Sequence, residues 1–261
     1  MSGIASVGIA KDPSAGFGHS RTAYMARAAT KPLFVELHSE QKEDLQTSFD
    51  TVSVFPNWAL KDLKTSKTKG LWLHVDQDTS DHSCYQGMVS LKDTTAQTGG
   101  LVVAPGSHLR HKEIRATIDR KGNYLPLNQD DPAVSALIEG GDLPGLRMVT
   151  APKGSLFLWD SRTVHSNHYA LQTPTTKDSV LRLNVHVCFL PRRTNQETNK
   201  MREEAVNDQK LANHWTYVIE GCKNGPMKFE RLAYPRHKSF KPLQSCAMSA
   251  EAIRSEFADI L

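Results

Sequence analysis

The sequence predicts a mainly β fold, a barrel or sandwich of short strands with helical additions, in a single domain. Short apolar runs follow one another along the chain, and Gly and Pro residues separate them. This pattern is typical of antiparallel β architectures, because a parallel sheet alternates its strands with helices. With 261 residues, of which 39% are hydrophobic, the chain has enough apolar content for one large core.

Composition and charge exclude several classes of protein. The formal net charge is only +4 and the basic residues are spread along the chain, so we expect no nucleic-acid-binding surface. No run approaches the roughly 18 apolar residues of a membrane helix, and residues 1–20 lack the apolar core of a secretory signal. Cys84, Cys188, Cys222 and Cys246 show no CxxC spacing, which favours reduced thiols in a cytoplasmic protein.

The N-terminal part is predicted to contain an arm, a helix and a first strand. Residues 1–30 are rich in Gly, Ser and Ala without periodicity, so we expect an extended or loosely packed arm. Residues 31–45 are helical in part, with Leu33 and Leu37 on one face. Residues 49–55 alternate as a strand does.

The central part contains most of the predicted strands, and the C-terminal part is mainly helical in composition. Further strands are predicted at residues 71–75, 84–91, 100–103, 154–159 and 180–190. In the last part of the chain Ser249 is expected to cap a final helix. Ile253, Phe257 and Ile260 line one side of that helix.

His74 and Asp76 end the apolar strand LWLHV. Residues two apart on a strand point the same way, so an imidazole and a carboxylate at this spacing can bind one metal ion. The chain also contains two other His-x-Glu pairs, beginning at His38 and at His111. Because those pairs lie in polar surroundings, we interpret them as solvated side chains and His74/Asp76 as the candidate metal ligands.

The third ligand of such a triad comes from a distant strand, and three ligands on one face leave the opposite face of the metal open. His165 follows a strand and a tight polar turn and is the leading candidate. His168 is its rival, and a structural role is the usual one for an isolated histidine.

The strand from Val180 to Phe189 alternates cleanly, with Arg182, Asn184, His186 and Cys188 on one face. A buried arginine needs an anion, because desolvating an unpaired charge is costly. That anion is either an internal carboxylate or a carboxylate of a ligand, which a planar guanidinium binds in bidentate fashion. A metal triad together with a buried arginine fits 2-oxoglutarate, which chelates iron at one end and presents a carboxylate at the other.

The sequence resembles the phytanoyl-CoA dioxygenase family of Fe(II)- and 2-oxoglutarate-dependent oxygenases. The motifs that carry this resemblance are WLHVDQ at residues 72–77, QG at 86–87, GGLVVAPGSH at 99–108, GSLFLWDSRTVH at 154–165, and Arg182. It covers about residues 33–193, roughly two thirds of the chain.

The resemblance implies a double-stranded β-helix, or jelly-roll, core with flanking N- and C-terminal helices. We therefore expect one domain over residues 1–261, with a catalytic core at 31–193 and a helical extension at 194–261 packed on it. The implied reaction is the hydroxylation of a small or medium organic substrate by O2, with release of succinate and CO2.

The resemblance also implies roles for individual residues. His74, Asp76 and His165 correspond to the Fe(II) ligands, and Arg182 corresponds to the residue that binds the distal carboxylate of 2-oxoglutarate. Gln86 is a further candidate for contact with the cosubstrate.

Two other classes of function remain open at this point. One is a cupin-type metal protein, either an isomerase or an oxygenase that does not use 2-oxoglutarate, in which Arg182 pairs with an internal acid. The other is a non-catalytic relative that serves as a binding module. Formation of succinate that depends on 2-oxoglutarate distinguishes the first hypothesis from these two.

Overall fold

The computed structural model describes residues 9–10, 17–38, 44–60, 72–78, 84–119, 121–122, 124–128, 130, 132–139, 145–218 and 247–261. In these ranges the helices are α1 (Arg21–Leu37), α2 (His111–Ala116), α3 (Pro132–Glu139), α4 (Gln196–Asn207) and α5 (Ala250–Glu256). None of the described helices is both long enough and apolar enough to cross a lipid bilayer.

The strands form two antiparallel sheets. The first sheet contains β1 (Ile9–Ala10), β2 (Leu45–Thr47), β3 (Val52–Pro56), β5 (Tyr85–Ser90), β9 (Leu156–Asp160) and β11 (Val180–Pro191). The second contains β4 (His74–Val75), β6 (Gly100–Val103), β7 (Leu125–Pro126), β8 (Arg147–Met148) and β10 (His165–His168). The order is β1-β3-β11-β5-β9 in the first sheet, with β2 also on β11, and β7-β4-β10-β6-β8 in the second. This arrangement confirms the mainly β, jelly-roll prediction.

Strand β11 organises the first sheet, because it pairs with β2, β3 and β5. Its alternation is as predicted. Cys188 is opposite Gln86, and Gln86 hydrogen-bonds to Asp76 at the end of β4, so this face of the strand points toward the second sheet. The other face carries Phe189, whose ring lies 5.3 Å from that of Phe34 in α1. The main apolar core therefore lies between the first sheet and the helices, and the inner face is left for polar groups.

The prediction of a loose arm over residues 1–30 is wrong for residues 21–30. Helix α1 begins at Arg21, where the hydroxyl of Ser20 accepts a hydrogen bond from the backbone N–H of Ala23. Tyr24 is fully buried in this helix. Arg27 is buried as well and donates to two backbone carbonyls, which is why this turn carries no simple apolar pattern.

Several element boundaries differ from the predictions. The helix expected within residues 31–45 ends at Leu37, and Leu45 begins β2. The predicted strand at 71–75 shortens to His74–Val75, with residue 71 outside the described ranges. In the C-terminal part α4 and α5 are helical, and Ser249 caps α5 as expected, whereas residues 208–218 are not helical. Cys222 and Cys246 lie outside the described residues.

Candidate metal centre

The three predicted ligands meet between β4 and β10. His74 and His165 are directly opposite each other in the pairing of these strands, and Asp76 follows His74 by two residues. One ligand atom from each residue lies within 4.8 Å of the others. Nε2 of His74 is 3.7 Å from Oδ1 of Asp76, and Nε2 of His165 is 3.3 Å from Oδ2. The structure thus brings together three buried residues.

The two imidazoles are oriented in the same way. Nδ1 of His74 donates to the carbonyl oxygen of Trp72 at 2.8 Å, and Nδ1 of His165 donates to that of Thr163 at 2.9 Å. A carbonyl oxygen only accepts, so the proton of each neutral ring lies on Nδ1. Both Nε2 atoms then keep a free lone pair that faces Asp76, as in histidine ligands fixed by a second hydrogen bond.

Electrostatics keep this cluster in the form that binds a metal. Burial, with the neighbouring His165, lowers the pKa of His74 to about 4, so its ring is neutral near pH 7. Burial alone would raise the pKa of Asp76, but the interactions of its carboxylate with His74 and His165, which include a hydrogen bond to His165, outweigh burial and hold this pKa below its ordinary value. Metal ligands must be deprotonated, and these two groups are.

Neighbouring side chains hold Asp76 in place. Nε2 of Gln86 donates to Oδ2 of Asp76 at 3.0 Å, and the backbone N–H of Asp76 donates to the carbonyl of Ser161 at 3.0 Å. Gln77 is buried and accepts a hydrogen bond from the hydroxyl of Ser161 at 2.5 Å. The carbonyl of Gln77 accepts one from His111. His111 is buried, so the prediction of a solvated side chain is wrong for this histidine, whose ring is held by the Gln77 carbonyl.

Among the described residues the structure brings His165, and not His168, into the cluster with His74 and Asp76. His168 is buried, its Nδ1 donates to the carbonyl of Tyr169 at 2.8 Å, and it is not part of the metal-ligand cluster found among the described residues. The other competing histidine, His38, donates to the carbonyl of Phe189, while its partner Glu40 lies outside the described residues.

Arg182 lies on the inner face of β11, where the alternation predicted it. It is 1% exposed, and burial lowers its pKa to about 9. Its guanidinium carbon lies 3.6 Å from the centre of the Phe55 ring, and Nη2 donates to the carbonyl of His168 at 3.2 Å. Among the described residues Nε of Arg182 has no hydrogen-bond partner, and no ion pair of Arg182 is found. The internal carboxylate considered from the sequence is therefore not present in these ranges.

Aromatic rings flank the two histidines. The Tyr124 ring lies 4.7 Å from that of His74 and is 43% exposed, and the Trp159 ring lies 5.4 Å from that of His165. Trp159 also packs against the small apolar cluster around Phe157. It is thus part of a core and of the wall of the site at once.

Sequence reasoning missed two residues beside the cluster. Tyr124 stands in a polar segment with no strand pattern, and only the pairing of β7 with β4 brings it to His74. Asn167 follows His165 by two residues in β10, so the two side chains point the same way. Its Nδ2 is buried without a partner among the described residues. The spacing from His165 was the available signal.

Comparison with known proteins gives one family match and several structural likenesses. The family model "Phytanoyl-CoA dioxygenase (PhyH)" matches residues 63–169. "Ava biosynthesis cluster protein O" of Aspergillus versicolor is 25% identical over 229 residues, which cover 80% of this chain and 68% of the relative.

Solved structures with a similar fold include two with iron in their descriptions. EctD from S. alaskensis with bound Fe is 16% identical with a TM-score of 0.43, covering 64% of this chain and 53% of EctD. The epimerase SnoN in complex with Fe3+, alpha ketoglutarate and nogalamycin RO is 18% identical with a TM-score of 0.45, covering 85% of this chain and 69% of SnoN. The chain spans about half the length of EctD.

The matched residues include His74, Asp76 and His165, so the family match and the cluster fall on the same part of the chain. This supports an oxygenase-type enzyme. Residues 63–169 match the family model of phytanoyl-CoA dioxygenase (PhyH), the family that the sequence resembles.

Proposed function

We propose that this protein is an Fe(II)- and 2-oxoglutarate-dependent dioxygenase that hydroxylates a small or medium organic substrate. The observation that carries the proposal is the combination of two features. Two Nε2 lone pairs and a carboxylate converge in the His74, Asp76 and His165 cluster. The facing strand carries the buried guanidinium of Arg182, for which the described part of the chain supplies no anion.

The donor set fits ferrous iron. Two imidazole nitrogens and one carboxylate are the ligands of non-haem Fe(II) oxygenases, and they leave coordination positions open on the opposite face. When bound, iron and 2-oxoglutarate supply the oxidation of a C–H bond by O2, with succinate and CO2 as the products of the cosubstrate. His74, Asp76 and His165 hold the metal in this proposal, and Gln86 keeps the carboxylate of Asp76 in its orientation.

Arg182 binds the distal carboxylate of 2-oxoglutarate in this proposal. The unpartnered Nε and the lack of a nearby acid in the described ranges leave donors for a carboxylate, and the buried setting strengthens such a pair. Phe55 stacks on the guanidinium and fixes its plane. The amide of Gln86 has a second N–H, beyond the one given to Asp76, with which it contacts the cosubstrate.

The carboxylate of Asp76 bears on the outcome of the reaction. As a ligand, this carboxylate would take the position on the metal that a halide needs, which favours hydroxylation over halogenation. The small-molecule substrate and O2 are the expected partners.

Cys84 and Cys188 are both free, although their Sγ atoms are only 4.0 Å apart, which supports a reducing, cytoplasmic location.

Anaerobic titration tests the proposal. Fe(II) and 2-oxoglutarate are added to the metal-free protein, and we expect the weak visible charge-transfer band of a chelated 2-oxo acid. Release of succinate on admission of O2 is the second readout. A protein that binds Fe(II) but forms neither the band nor succinate would be a cupin-type metal protein, and one that binds no Fe(II) would be a non-catalytic relative.

A further inference from the structure

Each histidine of the candidate metal centre has an aromatic neighbour. The ring centres of His74 and His165 are 4.2 Å apart. The ring of Tyr124 lies 4.7 Å from that of His74, and the ring of Trp159 lies 5.4 Å from that of His165. Centre-to-centre distances of this size are those of rings in contact. Both aromatic side chains therefore touch the groups that would hold the metal.

Strand pairing turns Trp159 toward the inside of the barrel. Trp159 is directly opposite Gln86 in the pairing of β9 with β5, and opposite residues of an antiparallel pair have their side chains on the same face. The side chain of Gln86 reaches Asp76, so Trp159 points to the metal side as well. The preceding residue, Leu158, points the other way and is 40% exposed. Trp159 is thus part of the inner wall beside the metal centre.

Tyr124 is also turned toward the centre, from the second sheet. Leu125 is opposite Val75 in the pairing of β7 with β4, and both belong to one apolar cluster. Successive side chains of an extended segment alternate in direction, so Tyr124 points away from that cluster and meets the ring of His74. Tyr124 is 43% exposed, whereas His74 is buried. Solvent therefore reaches the edge of the centre at Tyr124, and this is the side from which a ligand can approach.

The indole N–H of Trp159 is a donor without an acceptor. Its Nε1 is buried and has no hydrogen-bond partner among the described residues. An indole nitrogen only donates, and a buried tryptophan usually places this N–H against an acceptor. Leaving a buried donor unpaired is unfavourable, so a ligand that brings an oxygen atom to this N–H is favoured over one that does not.

The cosubstrate of the proposed function leaves this donor unused. Cys188 is opposite Gln86 in the pairing of β11 with β5, so Trp159, Gln86 and Cys188 form one row across the first sheet. Arg182, to which the distal carboxylate of 2-oxoglutarate is assigned, is near the other end of β11. A molecule that joins the metal to Arg182 extends away from the row of Trp159. The indole therefore faces the space that is left for the substrate.

We propose that Tyr124 and Trp159 form an aromatic subsite for a ring of the substrate, and that the indole N–H donates to an oxygen atom on or next to that ring. This inference rests on the proposed function and adds a substrate class to it. Aromatic side chains pack favourably against other flat rings, offset or edge to face. The substrate is therefore a cyclic molecule with a carbonyl, ether or hydroxyl oxygen, and not an open-chain acid or acyl chain.

The first experiment tests the preference for a ring. The chain is loaded with Zn(II) and 2-oxoglutarate, a combination that does not react with O2, and saturation-transfer NMR compares acetophenone with 2-octanone. Both probes have eight carbons and a methyl ketone, and 2-octanone has the larger apolar surface. We expect acetophenone to bind about two- to tenfold more tightly, the contribution of an aromatic contact.

Two variants locate this preference. Tyr124→Leu should reduce it, because the half-exposed ring is lost while an apolar side chain remains. Tyr169→Leu is the matched control and should leave it unchanged. The Tyr169 ring also lies against a histidine, at 4.1 Å from His168, but His168 is not part of the ligand cluster found among the described residues.

The second experiment tests the hydrogen bond. Acetophenone and ethylbenzene share the ring and differ in the carbonyl oxygen, and Trp159→Phe keeps a ring while it removes the N–H. We expect the ratio of their affinities, acetophenone over ethylbenzene, to fall about two- to tenfold in Trp159→Phe, the value of one hydrogen bond. Circular dichroism checks that each variant keeps the fold.

Three results would overturn the subsite: no ring preference in the wild-type chain, a preference that survives in Tyr124→Leu, or an unchanged affinity ratio in Trp159→Phe. A variant Trp159→Phe that loses affinity for 2-oxoglutarate and not for the ketone would assign the indole to the cosubstrate and overturn it too. The probes are also titrated into the metal-free chain. A chain that prefers the ring but binds neither Zn(II) nor 2-oxoglutarate would keep the subsite and contradict the proposed function.

Discussion

Two buried arginines in different regions of the molecule show how a structural cation differs from one that is ready for a ligand. Arg182 in the barrel and Arg202 in α4 are both nearly inaccessible, and burial lowers the pKa of each to about 9. Each guanidinium also lies over a phenylalanine ring, Phe55 for Arg182 and Phe49 for Arg202.

The difference between them is in their hydrogen bonds. Arg202 donates to the carbonyls of Thr47, Thr216 and Leu261, which join β2, the 208–218 segment and the end of the chain. For Arg182 a single bond to the carbonyl of His168 is found, and Nε is unpartnered among the described residues. Burial and pKa alone do not identify a binding residue, therefore. The smaller number of hydrogen bonds is what distinguishes Arg182 from Arg202.

The largest effect expected is the loss of metal. Asp76→Ala removes the only anionic ligand of the cluster, and we expect Fe(II) affinity to fall by at least roughly 100-fold, because even outer neighbours of a metal site change affinity by 10- to 100-fold. Calorimetric titration under anaerobic conditions measures it, and circular dichroism checks that the fold remains. Full iron occupancy in this variant would remove Asp76 from the ligand set.

The next prediction tests the comparison of the two arginines directly. Arg182→Met should raise the Kd for 2-oxoglutarate by roughly 10- to 100-fold, the value of a charge-assisted hydrogen bond, with little change in metal affinity or stability. Arg202→Met should leave the Kd unchanged but lower the free energy of unfolding by about 2–4 kcal/mol, since three carbonyls each lose a hydrogen bond from a buried guanidinium.

Titration of 2-oxoglutarate and urea unfolding of both variants give the two quantities. The comparison fails if the two arginines exchange roles or if both variants lose stability equally. An unchanged Kd in Arg182→Met would show that another cation binds the distal carboxylate.

Gly99→Ala is expected to displace the carbonyl group that accepts a hydrogen bond from Arg182. Gly99 has a φ of +76°, and an added Cβ would lie 2.4 Å from the carbonyl oxygen of His168, which accepts the hydrogen bond from Arg182. We expect a loss of about 2–4 kcal/mol in unfolding free energy and a several-fold weaker binding of 2-oxoglutarate. Gly154→Ala is the matched control, because its φ is +86° but nothing lies within 4 Å of the new Cβ. It should cost only about 1 kcal/mol.

The smallest expected effect concerns how the free energy of unfolding depends on pH. Burial lowers the pKa of both His74 and His19 to about 4 in the folded protein, below the ordinary value of 6.5. Between these two values the unfolded chain binds more protons, so stability is fully present above about pH 6.5 and is lost as the pH falls toward 4. Each histidine should contribute roughly 1–2 kcal/mol to the loss between pH 7.5 and 5.

Urea unfolding of the metal-free protein at the two pH values measures this loss. His19→Gln should reduce the loss of unfolding free energy between the two pH values by about half and leave the contribution of His74. A stability that is independent of pH over this range would contradict the assignment of both rings as neutral in the folded state.

The sequence predicted the long elements and missed the short ones. Strand β11 has twelve residues that alternate. This pattern was sufficient to predict which side chains share a face and that Arg182 lies on the polar face. Strand β10 is the polar tetrapeptide HSNH, which has no strand pattern and is a strand because it pairs with β6 and β4. Helix α1 was placed too late because its first half buries Arg27 together with small residues and Tyr24, so no simple apolar period marks it.

For the candidate site, too, some features could be predicted from the sequence and others could not. The sequence alone predicts that the candidate ligands His74 and Asp76 point the same way, since side chains two apart on a strand share a face by covalent geometry. The position of His165, and not of His168, in the cluster and the nearness of Tyr124 to His74 were decided by tertiary structure. They depend on which strands and segments pack together, and that is set by burial summed over the whole core and not by any local pattern.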